Sequence, residues 1–297
     1  MVTGTDQTRT RDRLLTASAR HSYDPDLDID WSAPVPDGVP SLPERRVSLY
    51  GTPLWQRLTP EQRIALGTHE WCSITRFGIW FETLLMRMLL RDIYRRDPGS
   101  DYVQYALTEI GDETRHSIMF AREVERLGAS EHAPGTGLLR LGALFGALAP
   151  RGPAMFAATL LTEETLDRLQ RELMADETLQ PLVRMTSRIH VVEEARHVKF
   201  ARTELARQVA TTSRPTLLRH RQLTAAAAYV VSANLIHPGV YAAVGLDPRQ
   251  ARAVARANPY HRETLLWMGK PVTDFLTEVG MIGRPGRGLW RRSGFLA

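Results

Sequence analysis

At 297 residues, with 43% hydrophobic and 24% charged residues, the chain has the make-up of a soluble globular protein, which excludes a disordered, fibrous or disulfide-scaffold class. A net charge of +5 and a pI of about 9.6 come from acids and bases interspersed along most of the chain, so nucleic acid is not an expected partner. The single cysteine, Cys72, excludes an intrachain disulfide and fits a reducing cytoplasm.

Residues 1–45 open on Asp6, Arg9, Arg11, Asp12 and Arg13, with no apolar run of the secretory kind, and carry Pro34, Pro36, Pro40 and Pro43. An irregular arm without chemistry is expected there. The rest, 46–297, reads as one all-α domain. Thr59 is a fair N-cap and Pro60 suits a first helical position, so a helix is predicted from there to about residue 96. The turn signal Asp97-Pro98-Gly99-Ser100 then leads into a second helix over about 101–127, ending at Gly128. A Gly- and Pro-bearing connection, 135–153, precedes a third helix over about 154–175, and Pro181 opens a fourth that runs to about 209. Two hairpins joined by a longer crossover make a ferritin-like four-helix bundle. Additional C-terminal helices near 217–236, 248–256 and 260–280 are expected to cover one side of it. The apolar stretch Leu223 to Ile236 contains Thr224, Ser232 and Asn234 and is shorter than the ~20 residues that span a bilayer, so it reads as a buried helix, with no membrane partner. Arg284, Arg287, Arg291 and Arg292 make the tail locally basic, and a solvated end is expected.

Two Glu-x-x-His pairs, Glu113 with His116 and Glu194 with His197, each follow another glutamate, Glu82 and Glu163. This is the ligand pattern of a two-metal carboxylate centre in a four-helix bundle. Residues three or four apart share a helix face, so Glu113 and His116 point together, as do His190, Glu194 and His197. Glu82 and Glu113 are symmetric about Asp97-Pro98, each some fifteen residues or roughly 22 Å from the turn at a 1.5 Å rise. Glu70 fails that test and is rejected. Between Glu163 and Glu164, helical phase favours Glu163, at the edge of the sector of Phe156, Thr159, Leu160, Leu166, Leu169 and Leu173. Glu82 lies among Ile79, Trp80, Phe81, Leu84 and Leu85, where an unpaired charge would be costly and a metal would compensate. Carboxylate oxygen with imidazole nitrogen suits iron or manganese, and the lack of clustered cysteines argues against structural zinc or an iron-sulfur cluster. Asp112, Glu109, Glu193 and Arg196 are candidate outer partners of the ligand histidines. Trp80 and Phe81 are core or pocket residues, and surface placement is expected for Arg76 and Arg87.

The chain resembles the p-aminobenzoate N-oxygenase family of non-haem diiron enzymes over nearly everything after about residue 48. The marks are Tyr50-Gly51-Thr52-Pro53-Leu54-Trp55, Glu82, Glu113-Thr-Arg-His116, Glu163, His190-Val-Val-Glu-Glu194-Ala-Arg-His197 and Ile236-His237-Pro238. The Glu82 to Glu113 interval is shorter than in the better-known arylamine oxygenases, as a trimmed turn would make it. The resemblance implies two iron ions with dioxygen as co-substrate, held by Glu82, Glu113, His116, Glu163, His190, Glu194 and His197. Glu113 and Glu194 would bridge, Glu82 and Glu163 would be more terminal, and His190 would be the extra histidine. The implied reaction is N-oxygenation of a small aromatic amine to hydroxylamine, nitroso or nitro products. No dinucleotide fingerprint or cysteine set for an iron-sulfur cluster is present, so electrons are expected from a separate ferredoxin or reductase. A homodimer is also expected. Tyr102 and Tyr105, near the start of the second helix and away from the metal level, speak against a radical-generating subunit. Two other readings stay open: a diiron hydroxylase acting on carbon or on a carrier-bound substrate, and a ferritin-like iron-binding protein. The length, the C-terminal helices and His190 argue against the last.

Overall fold

The computed structural model describes residues 4–129, 134–149 and 151–297, and among these every regular element is helical. Helix α1 spans Gly4–Arg20 and α2 spans Pro25–Asp28; a short turn follows before α3, Pro53–Arg57. The bundle helices are α4 (Pro60–Ile93), α5 (Asp101–Arg126), α7 (Pro153–Ala175) and α8 (Pro181–Thr211), with α6 (Thr136–Leu148) in the crossover. Then come α9 (Arg214–Asn234), α10 (Gly239–Ala242), α11 (Pro248–Ala257), α12 (Pro259–Glu278) and α13 (Arg287–Ser293).

The helix starts follow from local chemistry. Thr59 and Gln62 form a reciprocal capping box, with Gln62 N 3.3 Å from Thr59 Oγ1 and Thr59 N 3.0 Å from Gln62 Oε1, and Pro60 occupies the first turn. In the turn to α5, Gly99 N donates to Asp97 Oδ1 at 3.0 Å, and Ser100 caps the next helix through Val103 N. Helices α4 and α5 pair as one hairpin and α7 and α8 as the other; α5 then packs on α8 and α4 on α7, closing the ferritin-like bundle. Between them Phe200 gathers Tyr105, Tyr102 and Phe156 at ring distances of 4.6, 5.4 and 6.1 Å. Helices α9 and α12 cover α7, and α13 packs on α9.

Four expectations need correction. The first 45 residues are not irregular throughout: α1 packs on α5 and α8 with Leu14 and Ser18 buried, because the prolines of this segment all lie after it. The 135–153 connection contains α6. Its glycines read as breaks, yet one is a packing requirement, since a Cβ on Gly142 would lie 2.6 Å from Trp80 Cζ2. The basic tail folds: its four arginines are exposed, but Trp290 and Phe295 are fully buried and anchor α13. Finally, α9 is longer than the apolar stretch that announced it and is not a buried helix. The segment Arg214–Ala242, which joins α9 to α10, is long and apolar enough to cross a membrane by length and composition alone, and 33% of its most apolar window is buried.

Candidate metal centre

Glu82 projects from α4, Glu113 and His116 from α5, Glu163 from α7, and His190, Glu194 and His197 from α8; all seven are buried. Their donor atoms form three overlapping groups, each with every atom within 4.8 Å of the others: Glu82, His116 and His190; Glu113, Glu194 and His197; and Glu163, His190 and Glu194. The shared members make one continuous centre. All seven sequence candidates are brought together, whereas Glu70 and Glu164 are elsewhere. Glu70 accepts from Ser48 N at 2.8 Å and from the Ser48 hydroxyl, and Glu164 pairs with Arg202 Nε at 2.8 Å.

The histidine orientations are set by their outer partners. His116 Nδ1 faces Glu113 Oε2 at 3.1 Å, and His197 Nδ1 faces Glu194 Oε2 at 3.0 Å and Glu113 Oε1 at 3.2 Å. Their Nε2 atoms point outward, to Glu193 Oε2 at 2.9 Å and Asp112 Oδ2 at 3.1 Å. His190 is reversed: Nδ1 meets Gln170 Oε1 at 2.7 Å, and Nε2 looks inward, 3.8 Å from Glu82 Oε1 and 3.9 Å from Glu194 Oε2. Each ring thus has an outer acceptor that fixes the tautomer and aims the other nitrogen at the centre. Ser117 Oγ steadies Glu82 Oε2 at 2.6 Å.

The outer shell reaches the N-terminal segment. Arg196 donates to Asp112 Oδ2 at 3.3 Å and to the His21 carbonyl at 3.0 Å, and the Tyr23 amide donates to Glu193 Oε1 at 3.0 Å. Arg115 bridges Asp112 and Ser22 Oγ. Of the four proposed outer partners, Asp112 and Glu193 therefore touch histidines directly and Arg196 links them, while Glu109 is buried with its Oε2 unpartnered. Sequence reasoning missed Gln170, although it lies seven residues after Glu163 and so on the same helix face. His21 and Tyr23 act through backbone groups, which leave no side-chain signal.

The centre carries a strained charge balance. Burial raises Glu82 to about 8, with Glu113 adding to it, and burial together with Glu194 lifts Glu163 well above the carboxylate range. Burial also acts on Glu113, but His197 and His116 outweigh it and hold that carboxyl low. His116 rises to about 10: burial opposes the charge, and hydrogen bonds to Glu113 and Glu193 prevail. His190, desolvated and beside His116, stays neutral well below the usual imidazole range. The imidazoles thus hold Glu113 ionised while Glu82 and Glu163 keep their protons, and two divalent cations would cancel the charge of the buried carboxylates. Among the candidate ligands, Glu163 Oε1, Glu194 Oε1 and His190 Nε2 are buried without a hydrogen-bond partner, and such atoms need one. The donor set fits iron or manganese.

Trp80 and Phe81 are packing and pocket residues at once: with Phe77, Leu84, Phe145 and Val230 they line an apolar cavity of about 200 Å³ between α4, α6 and α9. Arg87 is exposed, and Arg76 is half-buried in a separate hollow with Ser73, His237 and Arg252. Tyr102 donates to Asp92 Oδ2 at 2.7 Å. Tyr105 is buried with an unpartnered hydroxyl that burial keeps from ionising and that His197 influences, so it lies nearer the centre's field than its place in the helix suggested.

A family model described as "P-aminobenzoate N-oxygenase AurF" matches residues 4–280. The uncharacterized proteins Rv0885 of Mycobacterium tuberculosis and Mb0909 of Mycobacterium bovis are each 30% identical over 202 residues, covering 66% of this chain and 59% of their own length.

Proposed function

The chain belongs to the p-aminobenzoate N-oxygenase family, and on that premise we propose that it is a non-haem diiron oxygenase that N-oxygenates an aromatic amine. The observation that carries this reading is the buried convergence of four carboxylates and three imidazoles, with Glu163 Oε1, Glu194 Oε1 and His190 Nε2 lacking partners. Glu82, Glu113, His116, Glu163, His190, Glu194 and His197 would hold the two ions. Bound there, iron would activate dioxygen, which supplies both the oxygen atom and the oxidising equivalents for transfer to the amine nitrogen.

The protein's own contribution is positional and electrostatic. Asp112 and Glu193 hold the Nε2 protons of His197 and His116, leaving Nδ1 of each ring as the inward donor. Gln170 does the same for His190 from the other nitrogen. Ligand atoms must lose their protons to bind metal, so loading releases protons and iron affinity rises with pH as Glu82 and Glu163 ionise. The apolar cavity beside Phe81 and Leu84 suits an aromatic ring, since a cavity of about 150 Å³ already holds benzene. The substrate class, an external ferredoxin or reductase as donor, a homodimer and a cytoplasmic location are parts of the same proposal. The test is a single turnover: protein loaded anaerobically with ferrous iron receives labelled dioxygen and p-aminobenzoate. Label on the product nitrogen is the expected result, and iron oxidation with untouched amine would refute arylamine N-oxygenation.

A further inference from the structure

Helix α6 is apolar on almost every side yet lies mostly in solvent. It rests on α4 through Gly142, with Leu138 and Phe145 half-buried, and leaves Leu141 48% and Leu144 53% exposed. Beside it α9 exposes Leu218 and Tyr229, and the segment Arg214–Ala242 that contains it meets the length and hydropathy of a membrane helix with one third of its apolar window buried. An apolar face of this extent on a water-soluble body marks an interaction surface.

The charge around this face selects the partner. Between Glu131 and Glu163, and again between Glu204 and Asp247, the sequence has no acidic residue. Both helices fall inside those stretches. Arginines converge at the C-terminal end of α6: Arg91 donates to the Gly146 carbonyl at 3.2 Å, Arg219 to the Leu148 carbonyl at 3.3 Å, and Arg151 to the Arg91 carbonyl at 3.4 Å. Arg95 and Tyr94 border the same hollow, Tyr94 being 84% exposed, and Arg140 is exposed on α6 itself. Asp92, beside Arg91 in the chain, is buried, bound by Tyr102 and Arg96 and 3.9 Å from Arg151, and Asp97 near Arg95 is exposed, so the arginines outnumber the acids at this margin.

A second copy docked by two-fold symmetry would bring two arginine-rich rims of like charge together. A surface that is apolar in the middle, with tyrosines and arginines at the margin, instead matches the boundary between acyl chains and anionic headgroups. We propose that α6 and the exposed side of α9 form a peripheral docking surface for a bilayer carrying anionic phospholipid. The protein lies on the bilayer and does not span it, because α9 is held to α7 and α13 along its other side.

Flotation of the purified full chain with vesicles tests this, using phosphatidylcholine alone and phosphatidylcholine with one third phosphatidylglycerol. The chain is expected to float with the anionic vesicles, to stay behind with the neutral ones, and to be released by high salt. Leu141→Ser with Leu144→Ser, which removes apolar area at constant charge, should abolish flotation while iron uptake and circular dichroism stay unchanged. Arg95→Glu should weaken binding by about fivefold or more, the worth of one basic residue near an anionic surface. Absence of flotation by the parent chain, or flotation untouched by the double substitution, overturns the proposal. So does a dimer in light scattering that the double substitution converts to monomer, since the face would then belong to a second copy.

Discussion

Replacing Gln170 by leucine isolates the reversed histidine. Gln170 is buried, and its Oε1 lies 2.7 Å from His190 Nδ1, the contact that turns Nε2 inward toward Glu82 and Glu194. Leucine keeps the volume approximately and removes the acceptor. A buried ring N–H left without a partner costs about 1–3 kcal/mol, and loss of an outer partner of a metal ligand typically weakens metal binding about 10–100-fold. These figures agree, since tenfold is about 1.4 kcal/mol. Anaerobic titration with ferrous iron against a competing chelator should therefore show a loss of that size in Gln170→Leu, confined to one of two ions. Gln170→Glu, which restores an acceptor, should recover most of it. Equal iron affinity in the parent and Gln170→Leu, with the fold intact by calorimetry, would refute the assignment of His190 as a ligand aimed by Gln170.

Glu163→Gln should lower iron stoichiometry, whereas Glu164→Gln, which disturbs only the pair with Arg202, should leave it unchanged in metal analysis of the two proteins. Tyr23→Pro deletes the amide that donates to Glu193 Oε1. Iron should leave this variant faster by about tenfold in a chelator-release assay, and release at the parent rate would deny the N-terminal segment a role at the centre. Glu70 and Glu123, away from the centre, are raised by burial from 4.5 to about 7 and about 8. A carboxyl that holds its proton more tightly when folded contributes stability below its unfolded pKa, and that contribution disappears as pH rises through its folded value. Metal-free protein should accordingly melt at a lower temperature at pH 8.5 than at pH 6, and Glu123→Gln, which keeps the acceptor for Trp71 Nε1, should flatten the dependence. A melting temperature that climbs over that interval would contradict these burial effects.

The convergence of the seven candidate ligands was readable because it rests on distances counted in residues. A Glu-x-x-His pair shares a helix face by geometry alone, and Glu82 and Glu113 had to meet because both are equally far from a turn that Asp97 and Ser100 enforce. Glu163 could be separated from Glu164 because one side of α7 is apolar. What escaped was set by contacts between distant parts of the chain. The glycines of α6 look like loop residues until Trp80 is seen beneath Gly142. The N-terminal helix has few apolar residues and is held by such links as Arg11 to Glu204 at 2.7 Å and Arg196 to the His21 carbonyl. The basic tail conceals Trp290 and Phe295, whose burial depends on the surface of α9 and on Gly269, where a Cβ would come within 2.8 Å of Phe295. Backbone donors such as the Tyr23 amide are absent from any reading of side-chain chemistry.

The proposed chemistry requires two metal ions that share one set of carboxylates. The most direct measurement is Mössbauer spectroscopy, with metal analysis, of protein loaded anaerobically with enriched ferrous iron and then exposed to dioxygen. Two irons per chain that become a magnetically coupled ferric pair, lost on Glu113→Ala, are the predicted result. Iron that binds at one per chain, or a spectrum indifferent to Glu113→Ala, would contradict it.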